Sequence, residues 1–187
     1  MVITETRLKG AFVIELEPIE DLRGFFARAW SDREFEAAGL TARFVETNVS
    51  FNNRKGTLRG MHFQAPPHAQ GKLVRCSRGA ILDVGVDIRV GSPSYGGHVA
   101  VELSAANWRQ LWLPPGFAHG YVTLVDDCEV IYKVTDYYAP ECDRGIAWDD
   151  PILMINWRLS ASEVILSEKD RRQSRLEDVA PAFQFGG

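Results

Sequence analysis

The middle of the chain consists of short runs in which apolar and polar residues alternate. The alternation is clearest over residues 82–88 and recurs at Val99, Val101 and Leu103, and residues 129–135 form a β-branched and aromatic run. A period of two is typical of a strand with one buried face. Glycine and proline turns separate the runs, at 78–79, 91–93, 96–97 and 114–116. Many short strands at this spacing favour an antiparallel sandwich or barrel.

Two short helices are predicted outside this β-rich region. Ser31 and Glu34 fit a capping box at the start of a helix that ends at Gly39, and Ser167 begins a second helix in a similar way. No repeat, low-complexity stretch or linker interrupts the 187 residues, a length expected of one domain. We therefore expect a single, mainly β domain over residues 1–187, with residues 180–187 as a loosely held tail.

Charge and cysteine content narrow the classes of protein. The chain has 21 Lys and Arg against 25 Asp and Glu, without the strongly basic balance of nucleic-acid-binding proteins. No apolar run approaches the ~18 residues of a membrane helix, and the N-terminus lacks the pattern of a signal peptide. The scattered cysteines Cys76, Cys128 and Cys142 form no Cys-x-x-Cys pair. We expect a cytoplasmic protein with neither nucleic-acid nor membrane partners.

The four histidines are the first candidates for chemistry. His68 lies in a polar loop and His98 in a glycine-rich run, whereas His62 and His119 follow turns that could place them at the end of a barrel. A hydrogen-bonded histidine in a barrel wall explains both of the latter as well as a functional role does. A metal site is disfavoured, because an amide, Gln64, occupies the position where metal-binding barrels carry a second histidine, and a neighbouring carboxylate is missing.

A histidine can act as a base without a metal. A neutral imidazole with a pKa of about 6.5 accepts protons near pH 7. Abstraction of a proton beside a carbonyl also needs a cation near the developing enolate, for which Arg59 and Lys72 are candidates, and inversion needs a proton donor on the other face, for which Tyr132 is a candidate. Taken singly, these residues are better explained as two surface cations and a core tyrosine.

Several segments in a fixed order carry a more specific signal. The most distinctive are Leu-Arg-Gly-Met-His at 58–62 and Pro-Gly-Phe-Ala-His-Gly at 115–120, followed by Ser-Glu-Lys-Asp at 167–170. Together they resemble the dTDP-4-dehydrorhamnose 3,5-epimerase family of deoxysugar biosynthesis, over nearly the whole chain. The resemblance implies a cupin-type jelly-roll barrel with a few short helices. It also implies a homodimer, a dTDP-4-keto-6-deoxyhexose substrate and no cofactor or metal.

The resemblance also implies catalytic roles. His62 would be the general base and Asp170 its orienting partner, while a local alternative makes Asp170 part of a helix cap with Ser167. Lys72 would stabilise the enolate oxygen, and Tyr132 would return a proton from the opposite face.

The same resemblance implies two groups of substrate-binding residues. Residues that would contact the sugar or the diphosphate are Arg59, His119 and Arg171. Residues that would line the nucleotide pocket are Arg23, Phe26, Asn48 and Tyr138. Guanidinium groups suit phosphate oxygens, and aromatic rings can stack on a base.

Two positions depart from the family pattern at the nucleotide end. Arg28 stands where the family usually has Glu, and Glu46 stands where it usually has Gln. Either the two residues form a salt bridge with each other, or the pocket accepts a different nucleotide.

Other functions remain open at this point. The chain could be a 3-epimerase only, an epimerase for another nucleotide-linked 4-keto sugar, a non-catalytic sugar-nucleotide-binding cupin or a metal-dependent cupin. A strand at residues 12–16 could pair across a two-fold axis, which would bring Arg23 and Phe26 to the neighbour's pocket.

Overall fold

The computed structural model describes residues 1–40 and 42–186, most of which lie in or between two packed β-sheets. Its strands are β1 (Val2–Glu5), β2 (Phe12–Glu15), β3 (Ile19–Asp21), β4 (Gly24–Phe26), β5 (Glu46–Asn52), β6 (Leu58–Gln64), β7 (Lys72–Arg78), β8 (Ala80–Asp87), β9 (Arg89–Val90), β10 (His98–Ser104), β11 (Gln110–Leu113), β12 (Phe117–Thr123), β13 (Cys128–Val134), β14 (Asp143–Gly145) and β15 (Phe183–Gln184). The helices are α1 (Asp32–Ala37) and α2 (Glu168–Arg171).

The two large sheets form the barrel. One has the strand order β1-β2-β11-β7-β13-β5 and the other the order β10-β8-β12-β6-β14. Their pairings are antiparallel, and residues such as Val74, Ile81, Leu111 and Phe117 pack into one buried cluster between them. A second cluster covers the other side of β6, β8 and β12 with residues from the C-terminal third of the chain. The expected single-domain, mainly β, cupin-type jelly-roll barrel is confirmed.

The strand over residues 82–88 forms as predicted, but both of its faces are buried. Leu82, Val84 and Val86 pack under the C-terminal third of the chain, so the apolar face points away from the barrel interior. Asp83 and Asp87, which the pattern places on a solvent face, are both 0% exposed. The barrel interior is therefore the polar side of this strand, and that is where acidic side chains become available for chemistry.

Both predicted helices are present, and the first ends at Ala37, short of the expected Gly39. Ser31 accepts a hydrogen bond from the backbone N–H of Glu34, but the Glu34 side chain binds Arg28 and the Met1 ammonium group and does not complete the capping box. In α2, Ser167 accepts from the backbone N–H of Asp170 at 3.1 Å. The Asp170 side chain is left free to point elsewhere.

Two expectations about the chain ends are wrong. The C-terminal segment is docked, because β15 pairs in parallel with β9 and Arg89 lies 5.0 Å from the ring of Phe185; Gly187 lies outside the described residues. Strand β2 cannot pair with a neighbouring molecule, because β1 and β11 occupy its two edges. The open edges of this sheet are β1 and β5.

Over the part of the chain that the structure describes, we find no helix of the length and apolar character that a membrane crossing needs.

Candidate functional site

The two motif histidines face each other across neighbouring strands. His62 on β6 is the register partner of His119 on β12, and the register shifts immediately after His119. The close approach needs glycine on both strands: a Cβ on Gly60, whose φ is +134°, would lie 2.5 Å from the Cα of Gly120. The glycines of the two motifs therefore set the position of both imidazoles.

His62 and Asp170 form a hydrogen-bonded pair. Nε2 of His62 lies 2.5 Å from a carboxylate oxygen of Asp170, which α2 carries against β6. Burial works against the charge on this carboxylate, but the hydrogen bonds from His62 and Ser167 outweigh it and lower its pKa. An ionised carboxylate can only accept, so it fixes the Nε2–H tautomer and leaves Nδ1 to act as the base.

Lys72 is a cation of the site, alongside Arg59 and Lys169, and it lies on the opposite sheet from His62. Burial lowers the pKa of its ammonium group to about 8, although the charges of Asp143 and Asp83 act to raise it. An ammonium group with this pKa is still mainly protonated at pH 7. It therefore offers a poorly hydrated positive charge, which interacts strongly with a developing oxyanion.

His119 is held by a carboxylate that the sequence analysis did not single out. Asp83 lies on β8 next to β12, and its Oδ1 is 2.7 Å from Nε2 of His119. Burial raises the pKa of Asp83, and His119 opposes this shift. The other oxygen, Oδ2, is buried and has no hydrogen-bond partner among the described residues. His119 is thus a hydrogen-bonded histidine in the barrel wall, one of the two explanations that the sequence left open. It also lines the larger cavity.

Tyr132 lies on β13, across the barrel from His62. Burial raises the pKa of its phenol; the positive charge of Arg59 lowers it and the negative charge of Glu46 raises it. The phenol is therefore protonated at neutral pH, the state that a proton donor requires. Asn48 is the register partner of Tyr132 on β5, so one face of this edge strand borders the same cavity.

These residues line two adjoining cavities of about 280 and 430 Å³ that share His62, Lys72, Tyr132 and Lys169. The smaller cavity adds Glu46, Asn48, Gln64, Gln70, Val134, Tyr138 and Asp143. The larger one adds Val49, Ser50, Arg59, His119, Tyr121, Ser167 and Asp170. A groove of about 540 Å³ beside α1 is larger than either, but its lining includes no histidine.

The side-chain amide of Gln64 is engaged by backbone groups. Its Oε1 accepts from the backbone N–H of Ala139, and its Nε2 donates to the carbonyl oxygens of His68 and Tyr137. The bonds to Tyr137 and Ala139 anchor the loop that carries Tyr138, and the bond to His68 anchors the loop between β6 and β7. Within residues 1–40 and 42–186, no group of three or more His, Cys, Asp or Glu side chains is arranged to hold a metal ion.

Tyr138 lies at the mouth of the smaller cavity. Its hydroxyl group donates to Asp143 at 3.0 Å, and Asp143 also binds the ammonium group of Lys169. The expected nucleotide-pocket residues Asn48, Glu46 and Tyr138 are therefore brought together with the catalytic candidates.

Four predicted binding residues are not brought to this cavity. Arg23 binds Asp21 at the tip of the β3–β4 hairpin, and Phe26 and Arg28 line a separate pocket beside Met1. The salt bridge between Arg28 and Glu46, one of the two alternatives for these positions, does not form, because Arg28 pairs with Glu34 at 2.9 Å. Arg171 is exposed on α2, with its Nε 3.8 Å from Glu168.

A family model described as dTDP-4-dehydrorhamnose 3,5-epimerase matches residues 5–178. Relatives with the same name as the family model include the following two. One, from Sinorhizobium fredii, is 48% identical over 165 residues, 88% of this chain and 84% of the relative. The other, from Methanothermobacter thermautotrophicus, is 47% identical over 175 residues, 93% of this chain and 94% of the relative.

Solved structures show the same likeness. The dTDP-6-deoxy-D-glucose-3,5-epimerase of Legionella pneumophila, in complex with dTDP-4-keto-L-rhamnose, has a TM-score of 0.93 and 40% identity, covering 100% of this chain and 99% of that one. A 3'-monoepimerase from Streptomyces bikiniensis, in complex with dTDP-quinovose, has a TM-score of 0.85 and 32% identity, covering 92% and 86%.

Proposed function

Because the chain belongs to the dTDP-4-dehydrorhamnose 3,5-epimerase family, we propose that it inverts C3 and C5 of a dTDP-4-keto-6-deoxyhexose in dTDP-L-rhamnose biosynthesis. The observation that carries this proposal is the His62–Asp170 pair, 2.5 Å apart, which opens onto the cavity lined by Lys72 and Tyr132. An oriented imidazole, a cation and a phenol are the groups that proton transfer beside a ketone requires.

The reaction follows from the positions of these groups. Nδ1 of His62 takes the proton from the carbon next to the C4 ketone, and the electron pair of the broken C–H bond forms an enolate. The negative charge moves to the ketone oxygen, where the ammonium group of Lys72 stabilises it. Asp170 stabilises the imidazolium ion that results. No step requires a redox change or a cofactor.

Inversion depends on the second sheet. Tyr132 lies on β13 and His62 on β6, so the two side chains reach a bound ring from opposite walls of the barrel. The carbon is reprotonated by the Tyr132 phenol, whose raised pKa keeps it in the protonated form. A proton taken from one face and returned to the other inverts the configuration. Once the imidazolium ion has released its proton to solvent and the Tyr132 phenolate has taken one up, repetition at the second carbon completes a 3,5-epimerisation.

Incubation with dTDP-4-keto-6-deoxyglucose in D₂O tests the proposal. We expect deuterium at both C3 and C5 and a product with the L-rhamno configuration, measured by mass spectrometry and NMR. A chelator should leave the exchange rate unchanged, because the Gln64 amide is fully engaged by the backbone. Absence of exchange at both carbons would leave only a sugar-nucleotide-binding cupin, and activity lost on chelation would point to a metal-dependent one.

A 3-epimerase is the second candidate, since a 3'-monoepimerase is among the similar structures. It would use the same base, cation and phenol and release its product after one inversion. Deuterium at C3 alone, with none at C5, would identify it.

Dimerisation is part of the proposal. The β3–β4 hairpin exposes Ile19, Leu22 and Phe26 by 70%, 107% and 68%, and the open edge strand β5 exposes Val49 by 62%. Apolar side chains on a hairpin and beside an open edge are typical of surfaces that associate. We place the hairpin of one protomer against the other protomer's site, which would supply Arg23 and Phe26 to the nucleotide.

Mixed dimers test this arrangement. His62→Ala and Arg23→Ala variants, each weakly active, should regain substantial activity when they are unfolded together and refolded as a mixture. In a mixed dimer, one site has its own His62 and the partner's Arg23. If Arg23 served the site of its own protomer, no site in the mixture would be complete and activity would stay low. A monomer by light scattering would also contradict the arrangement.

The nucleotide and the compartment are further parts of the proposal. With Arg28 paired to Glu34, Glu46 stays in the cavity as an acceptor-only group near Asn48. We propose dTDP as the carrier, and competition by dTDP, UDP and GDP measures that preference. The free thiols of Cys76, Cys128 and Cys142 fit the reducing cytoplasm that we propose as its location.

A further inference from the structure

We infer that Asn52 is a positioning residue for Arg59: its side-chain oxygen holds Nε of the guanidinium group, so that the two terminal nitrogens face the ligand. This inference rests on the proposed function, because it takes Arg59 to bind the substrate's diphosphate. Neither the motifs nor the family resemblance singled out Asn52. Its position on β5 is what brings it to the site.

Both ends of the Asn52 side-chain amide have hydrogen-bond partners. Its Oδ1 accepts from Nε of Arg59 at 2.8 Å. Its Nδ2 donates to the carbonyl oxygen of Cys128 at 3.3 Å and lies 3.3 Å from the Tyr121 hydroxyl, which in turn donates to Oγ of Ser50 at 2.9 Å. Asn52 is only 2% exposed, so every polar atom of its side chain needs such a partner.

The orientation of the amide follows from its partners. The carbonyl oxygen of Cys128 can only accept, so the amide nitrogen must face it. The guanidinium group can only donate, so the amide oxygen must face Arg59. The flipped amide would lose both bonds. Asn52 is therefore suited to holding a donor on one side while it is anchored to β13 on the other.

Anchoring through Nε determines which part of Arg59 remains for a ligand. Arg59 lies on β6, where Tyr121 of β12 is its register partner, and it lines the 430 Å³ cavity with His62, Lys72 and Tyr132. With Nε engaged, Nη1 and Nη2 form the remaining fork, whose spacing matches two oxygens of one phosphate group. A long side chain that is already held in place loses less conformational entropy on binding.

The position of Arg59 also affects the phenols of the site. Its positive charge lowers the pKa of both Tyr132 and Tyr121, against the effect of their burial. If the guanidinium group moved away, the Tyr132 phenol would become a weaker acid. Loss of Asn52 should therefore disturb substrate affinity first and proton return second.

The test measures dTDP affinity by calorimetry and the KM for the keto sugar. Asn52→Leu keeps the size of the side chain and removes all of its hydrogen bonds. We expect it to raise the dTDP Kd and KM about tenfold. Asn52→Asp keeps an acceptor for Arg59 but loses the bond to the Cys128 carbonyl, and we expect its Kd to stay within about threefold of the wild-type value. Asn53→Leu, at the exposed neighbouring position, is the matched control.

A double-mutant cycle separates positioning from folding. If Asn52 acts through Arg59, adding Asn52→Leu to Arg59→Ala should change the dTDP Kd no further. The inference is overturned if Asn52→Leu binds dTDP like the wild type, if Asn52→Asp is impaired equally, or if the two substitutions are additive. A wild-type protein that neither binds dTDP nor exchanges deuterium would instead refute the proposed function. Melting temperatures show whether each variant is folded, and the cycle decides the outcome if Asn52→Asp does not fold.

Discussion

Replacement of His62 by asparagine is expected to slow deuterium exchange beside the ketone by about 10²–10⁴-fold, the usual contribution of a general base. In the proposed mechanism His62 is the base that Asp170 orients, and the Asn48 and Gln64 amides beside it in the cavity cannot accept a proton at neutral pH. The measurement is the wash-in rate of deuterium from D₂O into the substrate under single-turnover conditions, which removes product release from the observed rate.

The chain offers a matched control for this experiment. His68 also pairs with an aspartate, with its Nδ1 3.2 Å from Asp136, but the pair lies outside the lining of the two cavities. His68→Asn should therefore exchange deuterium at nearly the wild-type rate. Binding of dTDP by His62→Asn should change by less than about tenfold, since the imidazole acts on the sugar ring. Unchanged wash-in after loss of His62 would refute the mechanism at its first step.

The parts of the fold that the sequence predicted well depend on local patterns. The period-two runs became β8, β10 and β13, and the two serine caps became α1 and α2. Each of these signals involves residues close in sequence, whose geometry the backbone fixes. The proposed catalytic residues His62, Lys72, Tyr132 and Asp170 were assigned through the family resemblance, because no local pattern connects Asp170 with His62, 108 residues earlier in the chain.

The features that the sequence did not reveal are long-range. The alternation in β8 gave no sign that a later part of the chain covers its apolar side, so Asp83 could not be placed in the barrel interior. The sequence did not reveal the role of Asn52 for the same reason, because its partners Arg59, Tyr121 and Cys128 lie on three other strands. The role of a buried polar residue depends on its hydrogen-bond partners, and the tertiary structure determines which partners those are.

The hairpin residues show a different limit. Arg23 and Phe26 lie far from the cavity of their own chain, although the family pattern associates them with the nucleotide. A sequence motif does not state which copy of a protein its residues serve. The mixed-dimer experiment tests whether a second chain places them at the site.

The second large effect is expected from replacement of Lys72, which should lower the activity and raise the stability of the protein together. Lys72→Met is expected to reduce turnover by about 10²–10³-fold, the loss observed when one oxyanion-stabilising group is removed. Because burial lowers the pKa of Lys72 to about 8, the wild-type rate should also fall as pH rises through 8 and the ammonium group loses its proton. Rate measurements between pH 6 and 10 check both expectations.

The stability of the same variant separates a catalytic role from a structural one. The pKa of Lys72 in the folded protein, about 8, lies below the ~10.4 of an unfolded lysine, so the charged form is penalised in the folded state. That penalty is fully present below pH 8 and disappears as pH rises from 8 towards about 10.4. Lys72→Met should therefore be more stable than the wild type at pH 7, by on the order of 1–3 kcal/mol, and this advantage should shrink above pH 8.

Urea unfolding at pH 7 and pH 10 measures this difference, with Lys9→Met as the control at an exposed lysine. The control should change neither turnover nor the pH dependence of the free energy of unfolding. A Lys72→Met protein that is inactive and less stable would mean that the lysine supports the fold. An inactive protein with a higher free energy of unfolding is what a buried charge retained for enolate stabilisation predicts, since the fold alone gains nothing from that charge.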